Sequence, residues 1–146
     1  MSIQQAETAF KRGDFALAGR LLAAHLSAHP RDAAAHYALG VVTSAARDWM
    51  AAARSLRKAC DLTGNKAPLE WSLALANALL QAGDAKAALK ETARLISTTR
   101  TNPDAWFCHA LALQGTGRNA DAAKAYEQCL AIRADHHAAR SNLALL

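Results

Sequence analysis

The chain has 146 residues, enough for one ordinary domain, and 52% of them are hydrophobic, which excludes a disordered segment. Alanine, the strongest helix former, is the commonest residue, while only seven glycines and three prolines interrupt the chain, so the composition predicts an all-α fold. The formal charge of +5 favours acidic partners, but without a block of lysines and arginines it does not indicate a nucleic-acid-binding protein.

The three cysteines, Cys60, Cys108 and Cys129, are odd in number and lack the spacing of metal ligands, which favours reduced thiols. The N-terminal residues lack the apolar core of a signal peptide. No apolar run is long enough to cross a bilayer. We therefore expect a soluble cytoplasmic protein that is not associated with a membrane.

The apolar pattern predicts four helical hairpins followed by one further helix. The hairpins are expected at about 2–28, 33–62, 68–98 and 103–132, and the last helix at about 137–146. Pro68 and Pro103 suit the first turn of a helix, where a missing N–H costs nothing. Asp14 and Asp84 each follow a turn glycine, as capping residues do.

A spacing of 34 residues relates these hairpins to one another. Gly83 and Gly117 lie 34 residues apart, and so do Ala18 and Ala52. The next interval is 36 residues, and its surplus falls in the turn at 63–66. Extra residues in a turn are what a repeat array tolerates, so the sequence indicates a repeat protein built from two-helix units.

These residues resemble the tetratricopeptide repeat family, whose unit is two helices in 34 residues. The segment from His36 to Gly40 is similar to the family's first-helix signature, with His36 where tryptophan is common. The small residue of the second helix is supplied by Ala18, Ala52, Ala88 and Ala122. The resemblance implies a right-handed α-α superhelix of about four hairpins, as one array over residues 1–146. Its units would lie at about 2–32, 33–67, 68–102 and 103–136, with the terminal helix at 137–146.

Charge separates the two helices of each unit, because the first helices are nearly uncharged and the second helices carry the lysines and arginines. An apolar helix must be covered, so first helices lie inside and second helices outside. By resemblance, one stripe of the first helices lines a concave groove: Tyr37, Val41, Leu73, Asn77, Phe107, Leu111 and Gln114. On the outer, convex face, a basic ridge is predicted at Arg20, Arg54, Lys90 and Lys124.

The concave stripe predicts binding of a protein or peptide segment through apolar contacts, chiefly at Tyr37, Asn77 and Phe107. The alternative is that these side chains pack against neighbouring helices and offer little open surface. The basic ridge likewise has two interpretations: a solvated helix face, or a site for an acidic protein or an anionic surface. The sequence leaves both choices open.

Catalytic motifs are missing from the sequence, including the phosphate-binding loop, the dinucleotide fingerprint, HExxH and GxSxG. His25 and His29 stand four residues apart on one predicted helix, but no third metal ligand can be identified. Cys108 borders the predicted groove without a base to activate it. We therefore predict no catalytic, metal-binding or cofactor-binding residues, and we expect a scaffold and not an enzyme.

The last eleven residues, HHAARSNLALL, resemble the first helix of a fifth unit. They are either a capping helix or the edge of a longer protein, and the apolar ending favours the longer protein. In that case the chain would recruit substrate for a larger bacterial transferase of the sulfotransferase or glycosyltransferase type. Self-association through terminal helices, giving a homo-oligomer, is a further alternative.

Overall fold

The computed structural model describes residues 2–146, and within this range the chain is entirely helical, without strands. Its helices are α1 (Ser2–Lys11), α2 (Phe15–Ala28), α3 (Ala33–Ala45), α4 (Trp49–Thr63), α5 (Leu69–Gln81), α6 (Ala85–Thr98), α7 (Pro103–Gly115), α8 (Asn119–Ile132) and α9 (His137–Ala144). A short 3-10 turn, Gly64–Lys66, occupies the interval that is longer than the repeat requires. The predicted all-α fold is confirmed.

The turns inside the four helix pairs share one backbone geometry. In the first turn the N–H of Gly13 donates to the carbonyl of Phe10, and that of Asp14 donates to the carbonyl of Ala9. This is the Schellman motif, in which the residue after the helix adopts a left-handed conformation. Glycine fills that place in three turns, at Gly13, Gly83 and Gly117 with φ of 80°, 86° and 82°; in the second turn Arg47 fills it with φ of 63°.

Aspartate side chains begin several of the helices. The carboxylate of Asp14 accepts a hydrogen bond from the N–H of Leu17, and that of Asp84 accepts one from Ala87. Both predicted caps are therefore confirmed. Asp32, Asp48 and Asn102 cap α3, α4 and α7 in the same way.

The chain divides into two compact units, one ending at Ala78 and the other at Leu79–Leu146. The first has a core cluster that includes Ala9, Ala18 and Leu22, and the second has one built around Tyr126 and Cys129. The four alanines of the repeat, Ala18, Ala52, Ala88 and Ala122, are each fully buried, as close approach of two helices requires. That all hairpins form one array stays a prediction.

The family's tryptophan place makes the same hydrogen bond wherever a suitable donor fills it. In α7 the indole N–H of Trp106 donates to the carbonyl of Arg100, six residues earlier, at 2.8 Å. In α3 Nε2 of His36 lies 2.9 Å from the carbonyl of Pro30, again six residues earlier. Since a carbonyl only accepts, this nitrogen carries the proton. The signature residue therefore ties each first helix to the turn before it.

Candidate binding surfaces

An apolar cleft lies between α1 and α3 in the first unit, with a volume of about 260 Å³. It is called the α1–α3 cleft below. Its lining is formed by Ile3, Ala6, Glu7, Phe10, Lys11, Leu22, Tyr37, Ala38, Val41 and Val42. Two of the predicted concave-stripe residues, Tyr37 and Val41, are in this lining. The cleft therefore brings part of the predicted stripe together with residues of α1 that the stripe did not include.

The shape of the α1–α3 cleft follows from the size and spacing of its side chains. Ile3 and Phe10 lie seven residues apart on α1 and therefore share one face of that helix. Between them Ala6 is buried, and Ala38 faces it from α3 with an equally small side chain. The Phe10 ring is held by Phe15, with ring centroids 5.4 Å apart. Large walls and a small floor leave room for a side chain from outside.

Tyr37 combines the two roles that the sequence left as alternatives. Its ring stacks on Trp71 with centroids 4.9 Å apart and an angle of 11° between the planes, so it packs against the next helical pair. The same residue is half-buried and lines the α1–α3 cleft. Burial, and then the nearby Glu70 carboxylate, raise the pKa of the phenol, which stays protonated near neutral pH.

The remaining stripe residues of the first unit are less enclosed. Leu73 is half-buried and Asn77 is exposed, four residues further along α5. An exposed amide offers both a donor and an acceptor to a peptide backbone. Asn77 is thus the polar member of the stripe that is accessible in this unit.

In the second unit, packing claims the predicted stripe residues. The Phe107 ring lies between Tyr126, at a centroid distance of 6.0 Å, and His136, at 4.7 Å. The Tyr126 hydroxyl donates to Oε1 of Gln114 at 2.7 Å and accepts from Nδ2 of Asn142 at 3.3 Å. This chain of hydrogen bonds links α7, α8 and α9. Phe107 and Gln114 therefore hold the last helix in place, and Leu111 beside them is half-buried.

The four cations of the predicted basic ridge are all exposed: Arg20, Arg54, Lys90 and Lys124. Within the described residues, none of the four forms an ion pair. Exposure alone does not distinguish a solvated helix face from a binding site. Only the surroundings of each cation can make that distinction.

The thiols and histidines do not assemble into reactive chemistry. Burial raises the pKa of the Cys108 thiol to about 11, so at neutral pH it is a thiol and not the nucleophilic thiolate. His25 bonds to the Asp32 carboxylate at 2.8 Å, which joins α2 to the start of α3 and lowers the pKa of that carboxyl. Across residues 2–146, no three His, Cys, Asp or Glu side chains come close enough to hold a metal ion.

None of the helices formed by residues 2–146 combines the length and the hydropathy that a membrane span needs.

Residues 3–43 match the sequence model of the tetratricopeptide repeat family. No curated protein matches the chain. Among solved structures, a crystal structure of MamA is 24% identical with a TM-score of 0.87, over 96% of this chain and 81% of that one. MamA from Desulfovibrio magneticus RS-1, from residue 41 to its end, is 17% identical with a TM-score of 0.89, over 99% and 80%.

YrrB, described as a tetratricopeptide repeat protein with an unusual peptide-binding site, is 18% identical with a TM-score of 0.82. That match covers 99% of this chain and 73% of YrrB. At such identities the likeness concerns the fold.

Proposed function

We propose that this chain, which is a tetratricopeptide repeat protein by its family match over residues 3–43 and by its fold, binds an apolar peptide segment in the α1–α3 cleft. A scaffold for protein interactions is the function that the fold supports. The finer proposal assigns the first contact of that scaffold to α1 and α3 of the first unit.

The α1–α3 cleft is the observation that carries this proposal. Its volume of about 260 Å³ lies just below the range of about 300–1,000 Å³ found for small-molecule pockets. It therefore suits one or two side chains of a longer peptide better than a whole cofactor. Full burial of one large aliphatic side chain contributes about 1.5–3 kcal/mol, so each anchor matters for affinity.

The charges at the cleft indicate how a peptide would be oriented. Glu7 and Lys11 lie one helical turn apart on α1, both exposed, and they are the only charged residues of the lining. Because their signs are opposite, they favour neither an acidic nor a basic peptide as a whole. They favour a peptide with its own charges on either side of the apolar anchor.

The description of YrrB supports a peptide as the class of ligand. That protein has a peptide-binding site on the same fold, and this chain aligns with it over 99% of its length. The site in this chain is argued from its own residues and not from the position of the site in YrrB.

The test of this proposal is a peptide selected from a random library on the immobilised chain, with its affinity measured by fluorescence anisotropy. Val41→Lys places an ammonium group on the apolar wall of the cleft, and burying it against an apolar side chain is unfavourable. We expect binding to weaken at least tenfold, which corresponds to about 1.4 kcal/mol. Helical circular dichroism of the variant checks that the fold is retained.

Met50→Lys is the matched control, because Met50 lies on α4 outside the cleft and is 67% exposed. This substitution also replaces an apolar side chain with lysine, yet it should leave the peptide affinity unchanged. Equal affinities for the Val41→Lys variant and the unmodified chain would exclude the α1–α3 cleft as the peptide site.

A further inference from the structure

We propose that a second interaction surface lies between α6 and α8 in the second unit, and that it binds an acidic protein segment carrying large apolar side chains. This α6–α8 groove has a volume of about 820 Å³ and shares no residue with the α1–α3 cleft. It lies on the second helices, which the concave-groove prediction did not involve.

The floor of the α6–α8 groove is apolar and is formed by three helices. Leu89 and Ile96 come from α6, Trp106 and Leu113 from α7, and Ala125 from α8. Leu89, Ile96 and Trp106 are only half-buried, so part of this apolar surface remains open to solvent. Covering it would add a hydrophobic contribution to binding.

The floor is held rigid by hydrogen bonds and ring contacts. The Trp106 indole is fixed by its hydrogen bond to the Arg100 carbonyl, and its ring meets His109 edge to face at 6.2 Å. Nδ1 of His109 lies 3.0 Å from the hydroxyl of Thr92, which is fully buried. A surface that is already ordered loses less conformational entropy when a partner binds.

The rim of the groove is positively charged. Arg118 is neutralised by Asp121, whose carboxylate accepts from the guanidinium at 2.8 and 3.1 Å. Arg100 and Lys124 also line the groove, are exposed, and have no ion-pair partner among residues 2–146. Burial, and then the Arg118 charge, lower the pKa of His109, so its imidazole is neutral near pH 7. Two uncompensated cations therefore flank an apolar floor.

An acidic protein segment matches both properties of this surface. Carboxylates can approach the Arg100 and Lys124 rim while apolar side chains cover the floor. A lipid bilayer also offers negative charge, but its flat surface does not reach the floor of a concave groove. Lys90 provides a comparison on the same helix, since it is exposed on α6 but does not line the groove.

The test uses three short synthetic peptides and the full chain, with affinities measured by fluorescence anisotropy. The first peptide contains glutamates and two leucines, the second has serines in place of the leucines, and the third has lysines in place of the glutamates. We expect the first to bind, the second to bind at least tenfold more weakly, and the third not to bind. Raising the salt concentration should weaken binding of the first peptide, because the rim is exposed.

Variants of the chain locate the site. Lys124→Glu and Arg100→Glu should each weaken the first peptide by roughly three- to tenfold, the range for losing or reversing an exposed ion pair. Lys90→Glu makes the same charge change outside the groove and should leave the affinity nearly unchanged. Val41→Lys should also have no effect, which keeps this test separate from that of the α1–α3 cleft.

Three outcomes would overturn the proposal. Equal binding of the leucine and serine peptides would reduce the surface to a charged helix face. An equal loss in Lys90→Glu and Lys124→Glu would mean that the groove is not the site. Tighter binding to vesicles containing phosphatidylserine, or to duplex DNA, with the same dependence on Lys124, would assign the surface to a different class of partner.

Discussion

Gly40 shows how closely the two helices of one hairpin approach each other. It is buried in α3, and a Cβ atom built on it would lie 2.5 Å from Cγ of Leu56 in α4. Leu56 itself is fully buried, so it has little room to move. Gly19 lies inside α2, and a Cβ there would meet nothing within 4 Å.

Gly40→Ala and Gly19→Ala should therefore change stability in opposite directions. The first introduces a methyl group into a filled space and should lower the free energy of unfolding by about 1–3 kcal/mol. The second replaces a mid-helix glycine where there is room, and should raise it by about 0.5–1 kcal/mol. Urea denaturation followed by circular dichroism measures both. Stabilisation by Gly40→Ala would mean that the packing between α3 and α4 is looser than described.

The family's tryptophan place is conserved in chemistry more than in residue type. Trp106, His36 and Arg140 differ in size, yet each donates to the carbonyl six residues earlier. A donor at this place is recognisable once the repeat is aligned. Its partner is not, because the six-residue spacing crosses a turn whose path only the structure provides.

At the scale of the element, the second turn carries a strain that the others avoid. Arg47 adopts φ of 63° in the place that glycine fills in the other three turns. A residue with a Cβ atom is disfavoured there by about 1–2 kcal/mol. The turn nevertheless keeps the same hydrogen bonds, with the N–H of Asp48 donating to the carbonyl of Thr43 at 2.9 Å.

Arg47→Gly should stabilise the chain by about 1 kcal/mol, because it relieves the left-handed conformation at a non-glycine residue. Gly83→Ala introduces the same strain into the third turn and should destabilise by a similar amount. The two variants can be compared by thermal denaturation at a single pH. A lower melting temperature for Arg47→Gly would show that the arginine side chain contributes more to stability than the backbone strain removes.

The helices were predictable because their ends are written in local chemistry. The predicted hairpin at 103–132 corresponds to α7 and α8, whose bounds follow from Pro103 at the start of α7 and Gly117 in its turn. The last helix was expected to reach residue 146 but ends at Ala144, and His136 caps its start through Nδ1. A histidine cap is uncommon, and nothing in the spacing of the sequence indicates it.

At the scale of the whole molecule, the candidate sites were less predictable than the helices. The periodicity identified the face of Tyr37 and Phe107, but their exposure depends on neighbours distant in sequence, namely Trp71 for one and His136 for the other. The α6–α8 groove escaped the sequence because its floor combines three helices. Of the predicted ridge, only Lys124 lies on that groove.

The two proposed surfaces differ in chemistry, and this difference is open to experiment. The α1–α3 cleft is enclosed, apolar and balanced in charge, whereas the α6–α8 groove is wider and has a basic rim. Binding in the cleft should respond weakly to salt, and binding in the groove should respond strongly. One chain can then hold two segments of different composition.

The most direct test of the scaffold function is a heteronuclear NMR titration of the labelled chain with the library-selected peptide. The account predicts the largest shift changes at Ile3, Phe10, Ala38 and Val41, which line the α1–α3 cleft from both helices. Changes confined to α4, α6 and α8, with α1 and α3 unaffected, would contradict it.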